Sequence, residues 1–260
     1  MAMGQALNQG AGKGCGFVLL NRSRISLDSV SSFKYAFRAS GVSYDFFKQA
    51  RDDRIAEGLP VLSAEESDRR KAAFLSSLPP KEDVWFFGYG SLMWDPGFHH
   101  LEAAMVRLRG WHRSFCVLSH GYRGTVECPG LVLGLDEGGE CAGMAYRVCG
   151  RTQLEEAIDY LWVREMVTGI YNPTLLPAAI DDGRTVQCWA FVVDRAHRQY
   201  MGHLSQETRA AMIAAACGTR GPNRIYLENT VARLHQLGVD DESLTSMLEK
   251  VCAASGAPAD

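Results

Sequence analysis

The chain has 260 residues, 47% of them hydrophobic and 22% charged, with a formal net charge of −3. That balance is ordinary for a globular protein and excludes the global basic field that draws a chain to nucleic acid or to an acidic membrane surface. No apolar run reaches the roughly 18 residues of a spanning helix, and "GFVLL", Gly16 to Leu20, is too short for the core of a signal peptide, so the expected compartment is the cytoplasm.

Residues 1–25 are rich in Gly, Asn and Ala and carry no acidic side chain; they are expected to be a disordered N-terminal segment. Within them "GAGKGCG" is not a Walker loop, because Lys13 is followed by Gly14 rather than Ser or Thr. Residues 26–80 read as a helical extension, on the helix formers of "SSFKYAFRASG" and "AEESDRRKAAFLSSL". Ser63 and Glu66 have the spacing of a capping box, and Pro79-Pro80 closes the region.

From 81 to 253 a single mixed domain is predicted, with 254–260 as a tail. Six candidate strands fall at 84–87, 113–118, 131–135, 143–148, 175–180 and 187–193, as short apolar runs separated by Gly, Asp and Pro. Helical signals fall at 152–163, 205–217, 222–237 and 241–252. The last three are consecutive, so the pattern is not a regular βαβ alternation. It predicts an α+β fold: a mixed, partly closed sheet or barrel with helices packed on it.

The segment "VWFFGYGSLMWDPGF", Val84 to Phe98, runs a buried strand straight into Gly88-Tyr89-Gly90-Ser91. Glycine takes φ > 0 without steric cost, so a tight turn is expected there, with backbone N–H groups converging as an anion nest. It is not a dinucleotide fingerprint, because Met93 stands where the third Gly belongs. An ordinary tight turn is the competing reading.

The eight cysteines contain no C-x-x-C pair and are read as reduced core thiols. The seven histidines form no HExxH and no Cys/His cluster, so no metal is expected. In "TQLEEAIDYLWVREMVTGIY", Leu154, Ile158, Leu161 and Trp162 share one helical face, and Glu165 is next on it. Arg164, one residue earlier, is expected to point elsewhere. Gly169 supplies the helix stop. A carboxyl partly buried near a helix C-terminus has its pKa raised, toward the range of a general base. The competing reading is a buried Glu satisfied by a backbone N–H or an arginine.

In order along the chain stand "FGYGSLMW", "GWHRSF", "RGT" with a following "PG", "YLWVREMVTGIY", "AFVVDRAHRQYMGHLS" and "GPNRIYLENTVARLHQLG". Together they resemble the ChaC-type γ-glutamylcyclotransferases, over about Val84 to Val251. The resemblance implies a γ-glutamylcyclotransferase-like barrel with flanking helices, and cleavage of glutathione to 5-oxoproline and cysteinylglycine without cofactor or metal. It implies Glu165 as the catalytic residue. It also implies Phe86, Phe87, Gly88, Tyr89, Gly90, Ser91 and Leu92 as the substrate-binding segment, with Tyr226 as a secondary site. Two other readings stay open: a cyclotransferase for other γ-glutamyl amines or dipeptides, and a non-catalytic cation-transport regulator on the same fold.

Overall fold

The chain is described by a computed structural model that covers residues 44–79 and 83–255. The readings of 1–25, of 31–41, of Pro80 and of 256–260 lie outside the described residues. Among the described residues two helices come first: α1 (Tyr44–Ala56) and α2 (Ala64–Ser77). Ser63 caps α2 by accepting the Glu66 N–H at 3.1 Å. The reciprocal half of a capping box is not made, because the Glu66 carboxylate instead pairs with Arg69 and Arg70.

Five strands then build a barrel: β1 (Val84–Gly88), β2 (Glu102–Ser119), β3 (Gly130–Val148), β4 (Tyr171–Ile180) and β5 (Thr185–Val193). The order is β1-β3-β2-β4-β5, closed by β5 pairing in parallel with β1 and β3. The barrel is therefore closed, where the sequence predicted partial closure. The α+β class and the flanking helices are as predicted. Helix α3 (Arg151–Glu165) lies between β3 and β4, and α4 (Gln206–Ala215), α5 (Asn223–Gln236) and α6 (Glu242–Ala254) follow β5. A short ribbon of β6 (Cys217–Gly218) and β7 (Gly221–Pro222) leads into α5.

Strand β1 explains its own apolar run. Alternate side chains of a strand face opposite ways, and β1 is covered on both sides. Phe87 joins the barrel interior with Leu108, Leu131 and Leu135, a cluster that continues to Ile213, Leu227 and Val251 on α4 to α6. Val84 and Phe86 join the opposite cluster with Ile158, Leu161 and Trp162 of α3, Phe47 of α1 and Phe74 of α2.

The β2–β3 hairpin is longer than predicted. The polar stretch "DEGGE" separates two apolar runs and reads as a turn, yet the ladder passes through it: Glu137 pairs with Trp111 and Glu140 with Arg109 across a bulge. Gly138 and Gly139, at φ 106° and 69°, carry the kink. Two predicted strands are thus one.

Among the seven described cysteines, Cys116, Cys141 and Cys188 are buried as expected. Cys128, Cys149 and Cys217 are exposed, which corrects the reading of them as core thiols.

Candidate active site

A cavity of about 400 Å³ draws its walls from the turn after β1, the end of α3, the start of α5 and helix α1. Six of the predicted residues line it: Tyr89, Gly90, Ser91, Leu92, Glu165 and Tyr226. Phe86, Phe87 and Gly88 do not. The two rings are committed to the two core clusters, 2% and 1% exposed, and Gly88 is paired to Met144 in the sheet.

The turn is built on close approach. Gly90 has φ −137°, and Gly88 is not among the glycines of positive φ, so the left-handed expectation is wrong for both. A Cβ at Gly88 would meet the Leu92 Cβ at 2.8 Å, and one at Gly90 would meet Leu133 Cδ1 at 3.2 Å. The chain enters a 3-10 turn, Ser91–Met93, closed by Met93 N–H donating to the Gly90 carbonyl at 2.8 Å. The N–H groups of Ser91 and Leu92 precede the intrahelical acceptors of that turn.

Buried side chains fix the turn from below. Arg113, 2% exposed, donates from Nε to the Tyr89 carbonyl at 2.9 Å and from Nη1 to Asp241, the N-cap of α6, at 3.0 Å. It also donates to the Ala142 carbonyl. The Tyr89 hydroxyl donates to the Phe191 carbonyl at 3.0 Å, and the Tyr146 hydroxyl lies 2.9 and 2.8 Å from the Leu92 and Met93 carbonyls. Sequence reading gave Arg113 no role. Its signal was a charge set among the alternating residues of a strand, inside "GWHRSF".

Glu165 is the last residue of α3, with Ile158, Leu161 and Trp162 buried along the same stripe. Its side chain is 17% exposed. Arg164 does not point elsewhere, as expected of a helix neighbour; its Nε lies 3.2 Å from Glu165 Oε1. A long guanidinium at a helix end can fold back around the terminus. The same guanidinium donates to Ser91 Oγ at 2.7 Å and to the Asp95 carbonyl at 2.7 Å. Arg164 therefore ties the carboxylate to the glycine turn. Burial pushes the Glu165 carboxyl above its ordinary pKa, and the charge and hydrogen bond of Arg164 offset this only in part.

Asn223 places Tyr226. Fully buried, it accepts the Leu131 N–H at 2.7 Å and donates to the Leu131 carbonyl at 2.8 Å, stitching the start of α5 to β3. One turn on, the Tyr226 ring stacks under Arg123 at 4.9 Å and edges against Phe115 at 5.5 Å. Burial pushes its hydroxyl to about 12, so it stays a neutral donor. Arg54, Arg123, Arg164 and Arg220 all line the cavity. They come from separate elements, so no local pattern marked them as a group. Among the described residues, no cluster of three or more His, Cys, Asp or Glu is arranged to hold a metal ion, and no helix is long and apolar enough to cross a membrane.

A closed five-stranded barrel, with a mostly buried carboxylate tied by arginine to a glycine turn, has the γ-glutamylcyclotransferase-like fold. A crystal structure described as a γ-glutamyl cyclotransferase specific to glutathione from yeast superposes with a TM-score of 0.60 at 20% identity, over 67% of this chain and 97% of that one. The family model described as ChaC-like protein matches residues 84–254, and the chain belongs to that family. It is 42% identical over 197 residues to the glutathione-specific γ-glutamylcyclotransferase of Escherichia coli K12, covering 76% of this chain and 84% of that protein. It is 33% identical over 208 residues to glutathione-specific γ-glutamylcyclotransferase 1 of Homo sapiens, covering 77% and 92%.

Proposed function

We propose that this protein is a glutathione-directed γ-glutamylcyclotransferase that releases 5-oxo-L-proline and L-cysteinylglycine, with Glu165 as general base and then acid. The observation that carries the reading is a carboxylate of raised pKa beside the glycine turn, in a cavity whose other charges, among the described residues, are four arginines and Asp95. Glutathione brings two carboxylates and one ammonium. Cations suit the carboxylates, and Glu165 suits the ammonium. The early N–H groups at Ser91 and Leu92 suit the α-carboxylate of the γ-glutamyl end.

The chemistry is intramolecular. The α-ammonium of the substrate is not nucleophilic. Glu165 takes one of its protons, and the freed amine attacks the γ-carbonyl carbon to close a five-membered ring. Donors at the turn hold the developing oxyanion. The bond to the cysteine nitrogen then breaks, and Glu165 hands its proton to that nitrogen. The ring nitrogen sheds a second proton, and the product amine leaves as an ammonium, so protons balance and no water is consumed. Holding the chain folded back on itself is the larger task, since a near-attack conformer removes most of the entropic barrier. Tyr226 enters this reading as a substrate-side residue, and Phe86, Phe87 and Gly88 as residues that support the turn from the core and the sheet. The compartment that suits it is the cytoplasm, where exposed thiols such as Cys128 and Cys217 persist reduced.

The test is incubation of the purified protein with glutathione and detection of 5-oxoproline. Turnover supports the reading. Binding without turnover, in a folded protein, contradicts it and favours a regulator.

A further inference from the structure

Helix α1 lies outside the segment matched by the family, 84–254, yet it reaches the cavity. Phe47 and Arg54 stand seven residues apart, two turns of helix on one face, and both line it. Phe47 meets Tyr160 edge-on at 5.8 Å and lies 5.5 Å from the Arg164 guanidinium. Arg54 is steadied by donating from Nη2 to the Pro60 carbonyl at 3.2 Å.

Arg54 differs from its neighbours in the cavity. Arg164 is committed to Glu165, Ser91 and the Asp95 carbonyl. Arg123 is committed to the Arg220 carbonyl at 2.6 Å and to the ring of Tyr226. Arg54, half-buried, has no ion pair with any carboxylate among the described residues, and its buried Nε has no hydrogen-bond partner. Nearby, the buried Nδ1 of His120 is also without a partner, and burial and the charges of Arg54 and Arg198 keep that ring neutral more readily. Burying an unpaired charge is costly, and an anion from solution would complete the site. Arg54 and Glu165 line the same cavity of about 400 Å³, which sets the two within one substrate's reach.

We propose that Arg54 is a specificity residue that receives the C-terminal carboxylate of the tripeptide, at the end opposite the γ-glutamyl group. This rests on the cyclotransferase reading above. It predicts a preference for γ-glutamyl peptides ending in a free carboxylate over γ-glutamyl amines.

The experiment compares kcat/KM for glutathione and for its C-terminal amide, in the wild-type full chain, Arg54→Gln and Arg54→Lys. Wild type should favour the free acid by about ten- to a hundredfold, the scale of hydrogen bonds to a charged group. Arg54→Gln should lose that factor on glutathione, mostly through KM, and leave the amide unchanged. Arg54→Lys should recover part of it, keeping the charge without the fork. Equal wild-type turnover of acid and amide overturns the proposal whether or not either variant folds. An equal loss on both substrates in Arg54→Gln overturns it too, by making Arg54 merely structural. If wild type releases 5-oxoproline from neither compound, the cyclotransferase reading falls and takes this one with it.

Discussion

Two carboxylates of this protein sit in recesses beside arginines and are driven in opposite directions. Glu165 ends a helix in the first cavity, and burial lifts its pKa against one ion-pair partner among the described residues, Arg164. Asp136 lies on β3 in a second recess of about 510 Å³. It is 5% exposed, and burial pushes its pKa up as well. Three donors outweigh that: the Tyr200 hydroxyl at 2.7 Å, Arg195 Nε at 2.6 Å and the Glu137 N–H at 2.9 Å, so its pKa ends below the ordinary value. Burial is common to both sites. The number of donors aimed at the carboxylate decides which one takes up a proton more readily than a free carboxyl. A helix C-terminus offers carbonyls rather than N–H groups, so Glu165 is left under-solvated where Asp136 is not.

The largest break in this contrast is Glu165→Gln. The amide keeps the shape but cannot take the ammonium proton. 5-Oxoproline release should fall at the upper end of the roughly 10²–10⁴-fold range for general-base loss, with glutathione affinity changed far less. A melting curve at neutral pH should show no loss of stability, because the charged carboxylate was disfavoured in the folded state. Next is Arg113→Met. It removes the ion-pair partner of Asp241 and the donor to the Tyr89 carbonyl and should cost about 3 kcal/mol or more of unfolding free energy, read by denaturant titration. Turnover should fall too, since the glycine turn loses its anchor.

Asp136→Asn should cost about 1.5–3 kcal/mol, the scale of hydrogen bonds to a charged group, and leave kcat/KM near wild type. A large loss of activity in that variant would erase the distinction between the two carboxylates. The pH dependence sharpens it. Asp136 has a lowered folded pKa, so its stabilisation is present above its unfolded value of about 3.9 and is lost as pH falls through the folded one. Glu165 has a raised folded pKa, so its contribution is present below its unfolded value and is lost as pH rises through the folded one. Gly90→Ala is the smallest change. The Leu133 Cδ1 tip is 3.2 Å from the added Cβ and can move, so we expect partial activity. Gly90→Val adds two methyls at the same point and should cost about 1–3 kcal/mol by overpacking, with much lower turnover.

Much of the fold was legible because periodicity survives in a sequence. The stripe from Leu154 to Trp162 predicted α3 and carried Glu165 with it, and the unbroken "VWFF" announced a strand covered on both sides. The long hairpin was not legible, because "DEGGE" satisfies every local criterion for a turn while the partner strand runs on beside it. The glycine turn was legible as a turn but not in its cause: sequence suggested dihedral freedom, and the cause is the space taken by Leu92 and Leu133. The arginines were least visible. Arg113 lies inside a strand, Arg54 precedes the recognisable motifs altogether, and only tertiary packing brings them to the turn and the cavity.

The most direct measurement is the pH profile of 5-oxoproline release from glutathione, for wild type and Glu165→Gln side by side. Wild-type kcat/KM should fall with decreasing pH along an acid limb set above the ordinary carboxylate value of about 4.3, and the residual rate of the variant should lack that limb. A variant that retains more than about a tenth of wild-type activity, roughly 1.4 kcal/mol of barrier, or that keeps the same acid limb, would show that Glu165 is not the base.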